Sequence, residues 1–236
     1  MKLSKRLKTI VSLLDLPAKI ADIGTDHAYL PIHLAQISPE SRIIAVENKK
    51  QPYNAAQEHI EKAQLSDKIE LRLGSGLEPI ERGEIDSLII AGMGAKTIRE
   101  ILNNSYQLAQ GLDRIILQAM AGTAKLRRWL VENDFKVVDE LLVEGKEIYQ
   151  VLLVKPGQQE IEDDFLLELG PKLINKATKG QQNNLTIKYL TRLKYKWQRI
   201  SAEIREKKSP KHSKVLELEK KLKRLEMILQ EVKDNE

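Results

Sequence analysis

The residues best suited to chemistry are acids that end short apolar segments near the start of the chain. Asp22 closes the segment Lys19–Ile23, and the run Gly24–His27 follows it. A carboxylate at the end of a buried strand lies where open α/β sheets bind their ligands. The loop has one glycine and a further acid, Asp26, so it lacks the GxGxxG pattern that wraps a pyrophosphate. An acidic loop repels a diphosphate and suits a cation.

A second acid, Glu47, ends the apolar run Ile43–Val46 and lies 25 residues after Asp22. In nucleotide-binding α/β folds, an acid at the end of the second strand, about 20 residues on, accepts hydrogen bonds from ribose hydroxyls. We therefore predict that Glu47, with the adjacent Asn48, binds a ribose. A cofactor that is cationic and has a ribose but no phosphate fits both acids, and S-adenosylmethionine is such a cofactor. A surface acid at a strand end is the alternative.

Two glycine-containing loops also follow predicted strands. The run Gly74–Leu77 lets the backbone approach a flat ring such as adenine, and Gly92–Gly94 leaves room for a substrate. Plain turns are the alternative for both. The predicted cofactor-binding residues are Asp22, Gly24, Thr25, Glu47, Asn48, Gly74, Ser75, Gly76, Leu77, Gly92 and Met93.

The elements that must position these residues alternate between strands and helices. Strands are predicted at 19–23, 41–46, 69–73, 86–91, 114–118, 135–138 and 148–154. Helices are predicted at 3–14, 28–35, 52–65, 96–102 and 123–132. The last two strands form a hairpin, connected through the acidic segments Asp139-Glu140 and Glu144–Glu147. This order predicts an α/β fold with the seven-stranded sheet of class I methyltransferases.

Composition excludes several classes of protein. The 236 residues allow one domain or two small ones. The chain has no cysteine, which excludes disulfides, and its four histidines lack metal-site spacing, so no metal is predicted. Leu3–Leu14 is predicted to be an amphipathic helix and not a signal peptide. No apolar run approaches the ~20 residues of a membrane span, so we expect a cytoplasmic protein.

The last third of the chain is basic. Residues 1–155 are predicted to form the cofactor-binding domain and residues 156–236 a helical domain, after a linker at Lys155–Gln159. From Lys172 to Arg224 there are 17 lysines and arginines and four acidic residues. Such a block of cations usually binds a polyanion, and a solvated helical face is the alternative.

Two apolar seams predict two helices in this region. Their members are Leu190, Leu193, Trp197, Ile200 and Ile204, then Val215, Leu218, Leu222, Leu225, Leu229 and Val232. The short break between them favours an antiparallel coiled-coil hairpin, with Ser209 as N-cap and Pro210 at the first helical position. Neither seam is long enough to require a dimer, so we expect a monomer. We expect Tyr189, Tyr195 and Trp197 to pack inside the hairpin.

Several strings resemble the bacterial tRNA (adenine-22-N1)-methyltransferase family, TrmK. They are Asp22–Pro31, Gly74–Leu77, Ala91–Gly94, Ile116–Gln118, Lys146–Tyr149 and Glu168–Pro171. The resemblance covers nearly the whole chain, and the first string is its most specific part. It implies a Rossmann-like methyltransferase domain with a helical hairpin, S-adenosylmethionine as cofactor and the D-arm of tRNA as substrate. The chain departs from the usual family pattern at Ser75, Ala95 and Ala119.

Methylation of adenine N1 needs no strong base, because this nitrogen has its own lone pair. The enzyme must align the reacting atoms and stabilise the positive charge that moves to the base. Asp26 is the predicted carboxylate for this role. Tyr29 is predicted to hold the adenine by stacking, and His27 to hydrogen-bond the substrate or the cofactor. Packing at a helix start is the alternative for His27 and Tyr29, and helix capping is the alternative for Asp26.

Two other functions remain open at this point. The protein could methylate another RNA site or a protein, or it could bind RNA without catalysis. Intact Asp22, Gly24 and Glu47 argue against the second alternative. A nicotinamide oxidoreductase is disfavoured by the single-glycine loop.

Overall fold

The computed structural model describes residues 3–160, 163–181, 183–207 and 212–235, which fall into two units, Met1–Ile161 and Glu162–Glu236. The first unit is built on a sheet of seven strands. The strands are β1 (Lys19–Ile23), β2 (Arg42–Glu47), β3 (Ile69–Leu73), β4 (Ser87–Met93), β5 (Arg114–Ala119), β6 (Phe135–Glu144) and β7 (Ile148–Pro156). Six helices belong to this unit: α1 (Lys5–Val11), α2 (Tyr29–Ile37), α3 (Lys50–Lys62), α4 (Ala95–Asn104), α5 (Tyr106–Ala109) and α6 (Thr123–Glu132).

The strands lie in the order β3-β2-β1-β4-β5-β7-β6, which confirms the seven-stranded sheet predicted from the sequence. The first five are parallel, and β7 pairs antiparallel with both β5 and β6. The strand order reverses at β1: β2 and β3 lie on one side of β1 in the sheet, and β4 and the later strands lie on the other. Ligands of open α/β sheets bind at such a switch point, outside the carboxyl ends of the strands.

Apolar layers cover both faces of the sheet, which is why its central strands are continuous hydrophobic runs. Along β1, Ile20 packs into one layer while Ala21 and Ile23 pack into the other. Side chains alternate between faces along a strand, so each strand contributes to both layers. Leu126, Trp129 and Leu130 of α6 are buried, as predicted.

Three details of the first unit differ from the prediction. Helix α1 begins at Lys5, after the N-cap Ser4, and ends at Val11. Asp139 and Glu140 are not part of a connection but lie within β6, where fully buried Glu140 accepts a hydrogen bond from buried Arg127 at 2.5 Å. Pairing with the guanidinium of Arg127 offsets the cost of burying this carboxylate, which explains how an acid is accommodated inside the strand. The predicted linker also begins too early, because Lys155 and Pro156 belong to β7.

The second unit contains four helices, α7 (Asp164–Leu169), α8 (Pro171–Ala177), α9 (Asn183–Lys207) and α10 (Ser213–Asp234). The short helices α7 and α8 were not predicted, because the sequence around Glu168–Pro171 indicates only a short polar region. Phe165 and Leu169 of α7 and Leu173 of α8 are buried within the unit. In the described ranges, no helix is both long enough and apolar enough to cross a membrane.

Contacts between α9 and α10 show that the two long helices are antiparallel. Asn183, at the start of α9, donates to the carbonyl of Val232 near the end of α10 at 3.3 Å. At the other end, Arg205 pairs with Glu219. This confirms the predicted helical hairpin, while its supercoiling as a coiled coil stays a prediction.

The buried side of each helix differs in part from the predicted seam. On α9 the buried residues are Asn183, Thr186, Tyr189, Leu190, Trp197 and Ser201. Leu193, Ile200 and Ile204 are only half-buried. Tyr195 does not pack inside the hairpin but is 66% exposed. Predicted Ser209 and Pro210 lie outside the described residues, and α10 begins at Ser213 after His212 as N-cap.

Candidate functional site

A cleft of about 650 Å³ opens at the carboxyl ends of β1, β2, β3 and β4, where the sequence places the candidate residues. Nine predicted residues line it: Gly24, Asp26, Glu47, Asn48, Gly74, Ser75, Gly76, Gly92 and Met93. Asp22, Thr25 and Leu77 are buried behind the cleft wall, and His27 and Tyr29 are not part of that wall. Because parallel strands end at the same edge, residues far apart in the chain meet here.

Glu47 lines the cleft although only 6% of the residue is accessible. Its Oε1 accepts hydrogen bonds from the backbone N–H groups of Asn48 and Lys49, both at 3.0 Å. Its Oε2 accepts one from the N–H of Asp26 at 3.2 Å. These donors hold the carboxylate in one orientation and connect the end of β2 to the loop after β1. A carboxylate has about four acceptor sites, so one can still bind a hydroxyl.

Asp22 is completely enclosed at the end of β1. Burial raises the pKa of its carboxyl from 3.8 to about 6; the nearby Thr25 hydroxyl lowers it in part, and the Glu47 carboxylate raises it further. The Thr25 Oγ1 is buried without a hydrogen bond of normal geometry. The Thr25 hydroxyl can therefore still accept a hydrogen bond. Together with the buried carboxyl of Asp22 it makes a polar site where a donor group of a ligand would fit.

Two glycines keep the cleft open. Gly24 has φ +74°, and a Cβ at this position would overlap the methyl group of Met93. Gly76 has φ +56°, and its Cβ would meet Ile101 at 3.1 Å. Both positions therefore favour glycine for conformation and for space.

The loop that carries Asp26 contains unusual backbone conformations. Asp26 has φ +54° and Ala28 has φ +55°, both in the left-handed region that non-glycine residues rarely occupy. Ala28, and not Asp26, is the N-cap of α2, so the capping role considered for Asp26 is wrong. The Asp26 side chain is 67% exposed. A loop that faces the cofactor's methyl group would be expected to hold this carboxylate in a poorly hydrated interior, and the observed exposure shows that this expectation is wrong.

His27 and Tyr29 belong to a cluster of three rings next to this loop. The ring centroids of His27 and Tyr29 are 5.3 Å apart, those of Tyr29 and His59 5.5 Å, and those of His27 and His59 5.6 Å. His27 Nε2 also lies 3.7 Å from a carboxylate oxygen of Asp26. His59, on α3, was missed in the sequence because a single histidine in an amphipathic helix carries no pattern.

One face of α4 forms a wall of the cleft that the sequence analysis did not predict. Its residues are Thr97, Glu100, Ile101 and Asn104. Their spacing of three, one and three places them on one side of a helix, and α4 directly follows the Gly92–Gly94 loop. This spacing is visible in the sequence and could have predicted that α4 lines the cleft. Lys49 and Pro52, at the start of α3, also line the cleft.

A further side chain reaches the Gly92 loop from α1. The Oε1 of fully buried Gln118 accepts a hydrogen bond from Arg6 Nη1 at 2.6 Å and another from the N–H of Gly92 at 3.2 Å. Arg6 also lies over the ring of Tyr149, with 5.7 Å from its guanidinium carbon to the ring centroid. The amide of Gln118 therefore fixes the loop at the end of β4, and Arg6 fixes the amide.

Comparison with known proteins identifies relatives over most of the chain. Residues 3–152 match a family described as a methyltransferase domain. The chain is 35% identical over 193 residues to the tRNA (adenine(22)-N(1))-methyltransferase of Bacillus subtilis, a match that covers 81% of each protein.

Solved structures extend the similarity to the whole length. The crystal structure of the B. subtilis m1A22 tRNA methyltransferase TrmK is 31% identical, with a TM-score of 0.78 over 99% of this chain and 98% of that one. The structure of M. capricolum TrmK in complex with S-adenosyl-homocysteine, its natural cofactor product, is 27% identical, with a TM-score of 0.81 over 98% of this chain and all of that one. Both units of this chain thus have counterparts in these relatives.

Proposed function

Because the chain belongs to the tRNA (adenine(22)-N(1))-methyltransferase family, we propose that it transfers a methyl group from S-adenosylmethionine to N1 of adenine 22 in the D-arm of tRNA. The observation that carries this proposal is the cleft at the switch point of the sheet. It combines buried acids with glycine-lined walls in a chain that matches this family over most of its length.

The residues of the cleft fit S-adenosylmethionine. Glu47 offers a fixed carboxylate to the ribose hydroxyls, while ionised Asp22 and the unpaired Thr25 hydroxyl favour a cation with polar groups. Gly74 and Gly76 around Ser75, together with Ile101, line the part of the cleft where a flat adenine could be held against backbone. When bound, the cofactor supplies an activated methyl group on a sulfonium.

The chain's own residues have two tasks in the reaction. They hold adenine N1 in line with the methyl group, and they stabilise the charge that develops on the base. Asp26 lines the cleft and has an exposed carboxylate, so it can face the N6–N1 edge of the adenine and stabilise that charge or accept an N6 proton. Tyr29 is 37% exposed and can stack on the base, with His27 beside it.

We propose that the second unit binds the tRNA backbone through a basic stripe on α9. The stripe consists of Lys188, Arg192, Lys196 and Arg199, which are exposed and spaced four, four and three residues apart on one side of the helix. Exposed Tyr195 lies on the same side and can contact a base or sugar. The buried residues of α9 lie mainly on the other side of the helix, and Arg199 also forms an exposed ion pair with Glu203 at 3.6 Å.

We also propose that the protein acts as a monomer in the cytoplasm. The buried apolar residues of α9 and α10, among them Leu190, Trp197, Leu218 and Leu225, are covered within this chain and do not need a second copy for burial. Sedimentation equilibrium of the purified protein, alone and with tRNA, tests the oligomeric state, and a dimer would contradict it.

Nucleoside mass spectrometry tests the proposed reaction. We expect 1-methyladenosine in tRNA after incubation with the protein and S-adenosylmethionine, and none in a matched tRNA with guanosine at position 22. Methylation of the control tRNA, or of a protein, would instead support the alternative targets. Absence of any methyl transfer despite tRNA binding would support a non-catalytic RNA-binding protein.

A further inference from the structure

The loop Thr25–Ala28 is held in a strained conformation by groups outside it. Two of its residues, Asp26 and Ala28, have positive φ without being glycine. Non-glycine residues persist in this region only where the surroundings impose it, and such positions cluster at active sites. This loop carries Asp26 and His27 and leads into Tyr29, the three residues assigned to the adenine. The groups that hold the loop therefore decide where those side chains lie.

Two side-chain contacts anchor the middle of the loop. The N–H of Asp26 donates to Glu47 Oε2 at 3.2 Å, and the carbonyl oxygen of His27 lies 3.0 Å from His59 Nδ1. A carbonyl oxygen can only accept, so His59 must carry a hydrogen on Nδ1 to make this bond. Glu47 comes from β2 and His59 from α3, so the loop after β1 is held between two neighbouring elements.

The ring of His59 also supports the two rings assigned to the substrate. The three centroid distances, 5.3, 5.5 and 5.6 Å, form a nearly equilateral triangle. The two imidazoles therefore cannot lie on opposite faces of Tyr29, because a sandwich would place them about 10 Å apart, twice the usual stacking separation. The histidines support Tyr29 from one side, and 37% of the tyrosine remains accessible.

We propose that His59 is a positioning residue for methyl transfer: its Nδ1–H holds the His27 carbonyl and thereby sets the orientation of His27 and Tyr29 toward the adenine. This role rests on the proposed function, since it assigns the three-ring cluster to the adenine. His59 itself is not assigned a contact with the substrate or the cofactor.

Two substitutions separate the hydrogen bond from the ring. His59→Phe keeps an aromatic ring and removes the donor, while His59→Asn places an amide N–H close to the position of Nδ1 and removes the ring. We expect His59→Phe to lower the single-turnover methylation rate about tenfold, because small misplacements of reacting groups are costly. We expect His59→Asn to stay within threefold of the wild type. Both variants should keep the wild-type affinity for S-adenosyl-homocysteine.

The matched control is Gln57→Ala, an exposed position on the same helix whose amide donates to Glu61 at 2.9 Å. It should leave the rate unchanged. A wild-type rate in His59→Phe would overturn the proposal, as would a loss in His59→Asn as large as that in His59→Phe.

A measurement on the unmodified protein does not depend on activity. In a long-range ¹H–¹⁵N spectrum of histidine-labelled protein, His59 should show the Nδ1–H tautomer, with its signals assigned by their absence in His59→Asn. The Nε2–H tautomer would overturn the proposal whatever the methylation rates of the variants. Failure of the proposed function would show itself differently, as wild-type protein that forms no 1-methyladenosine.

Discussion

The two units of the chain place their charged residues in opposite ways. The first unit keeps Asp22 and Glu47 buried at one edge of its sheet, within a segment of 20 basic and 21 acidic residues at 1–154. The second unit carries its excess of cations on exposed helical faces. A buried acid is costly, so a fold maintains few of them. Besides Glu140, which is paired with Arg127 inside the sheet, the buried acids of this unit lie at the cleft. Exposed cations cost little and act together on a polyanion.

From this difference we expect the methylation rate and the affinity for tRNA to respond to different substitutions. Changes at the cleft should alter rate or cofactor affinity and leave tRNA binding intact, whereas changes on the basic stripe should do the reverse. Four predictions test this separation, beginning with the largest expected effect.

We expect Asp26→Asn to lower the single-turnover methylation rate by roughly 100-fold at saturating cofactor, because it removes the charge that stabilises the developing cation. The hydrogen bond from the backbone N–H of Asp26 to Glu47 is unaffected by this change. Asn also tolerates positive φ, so folding should be preserved. Rapid-quench assays with tRNA measure the rate, and thermal unfolding provides the control. A rate within a few-fold of the wild type would remove Asp26 from catalysis.

We expect Glu47→Gln to weaken binding of S-adenosylmethionine by about 10- to 100-fold, or ~1.5–3 kcal/mol, by removing a charged acceptor for the ribose. Gln keeps the size of the side chain and one acceptor oxygen for the loop. Glu47→Ala should lose at least as much affinity. Isothermal calorimetry gives the cofactor affinity, and tRNA binding should stay at the wild-type value. Unchanged cofactor affinity would exclude Glu47 from the site.

We expect the triple variant Arg192→Ala, Lys196→Ala and Arg199→Ala to weaken tRNA binding about tenfold or more. The slope of log affinity against log salt concentration should fall by about two to three, because each lost phosphate contact removes ~0.7–0.9. Filter binding at several salt concentrations measures both values. Lys62→Ala with Lys68→Ala, two exposed lysines of the first unit, is the control. An equal loss in the control would mean that tRNA binding depends on total charge and not on the stripe.

The smallest expected effect is on pH dependence. Burial raises the pKa of Asp22 to about 6, so the folded protein keeps this proton to a higher pH than the unfolded chain does. Its contribution to stability is therefore present below pH 4 and lost as the pH rises through 6. Ionised Asp22 attracts a cation, so cofactor affinity should rise severalfold between pH 5 and pH 7. Calorimetry across this pH range should show that cofactor affinity depends less on pH in Asp22→Asn than in the wild type. The same pH dependence in both proteins would mean that another group titrates.

The sequence alone determined the main features of the fold and the place of the cleft. Strands buried on both faces are continuous apolar runs, so β1, β2, β4 and β5 could be recognised within one or two residues. Acids and glycines directly after those runs lie at the carboxyl edge in any parallel sheet. For that reason nine of the predicted site residues line one cleft.

The tertiary structure decided which side chains complete and support the site. His59, the wall formed by α4, and the pair Arg127 and Glu140 depend on how separate elements pack, and local periodicity does not encode that packing. Local periodicity also does not predict the exposure of Tyr195, because the heptad-like spacing on α9 is compatible with more than one rotation of the helix about its axis. Packing against the other helices of the second unit, including Phe165 of α7 against Trp197, selects the face with Tyr189 and Trp197 for burial and leaves Tyr195 exposed.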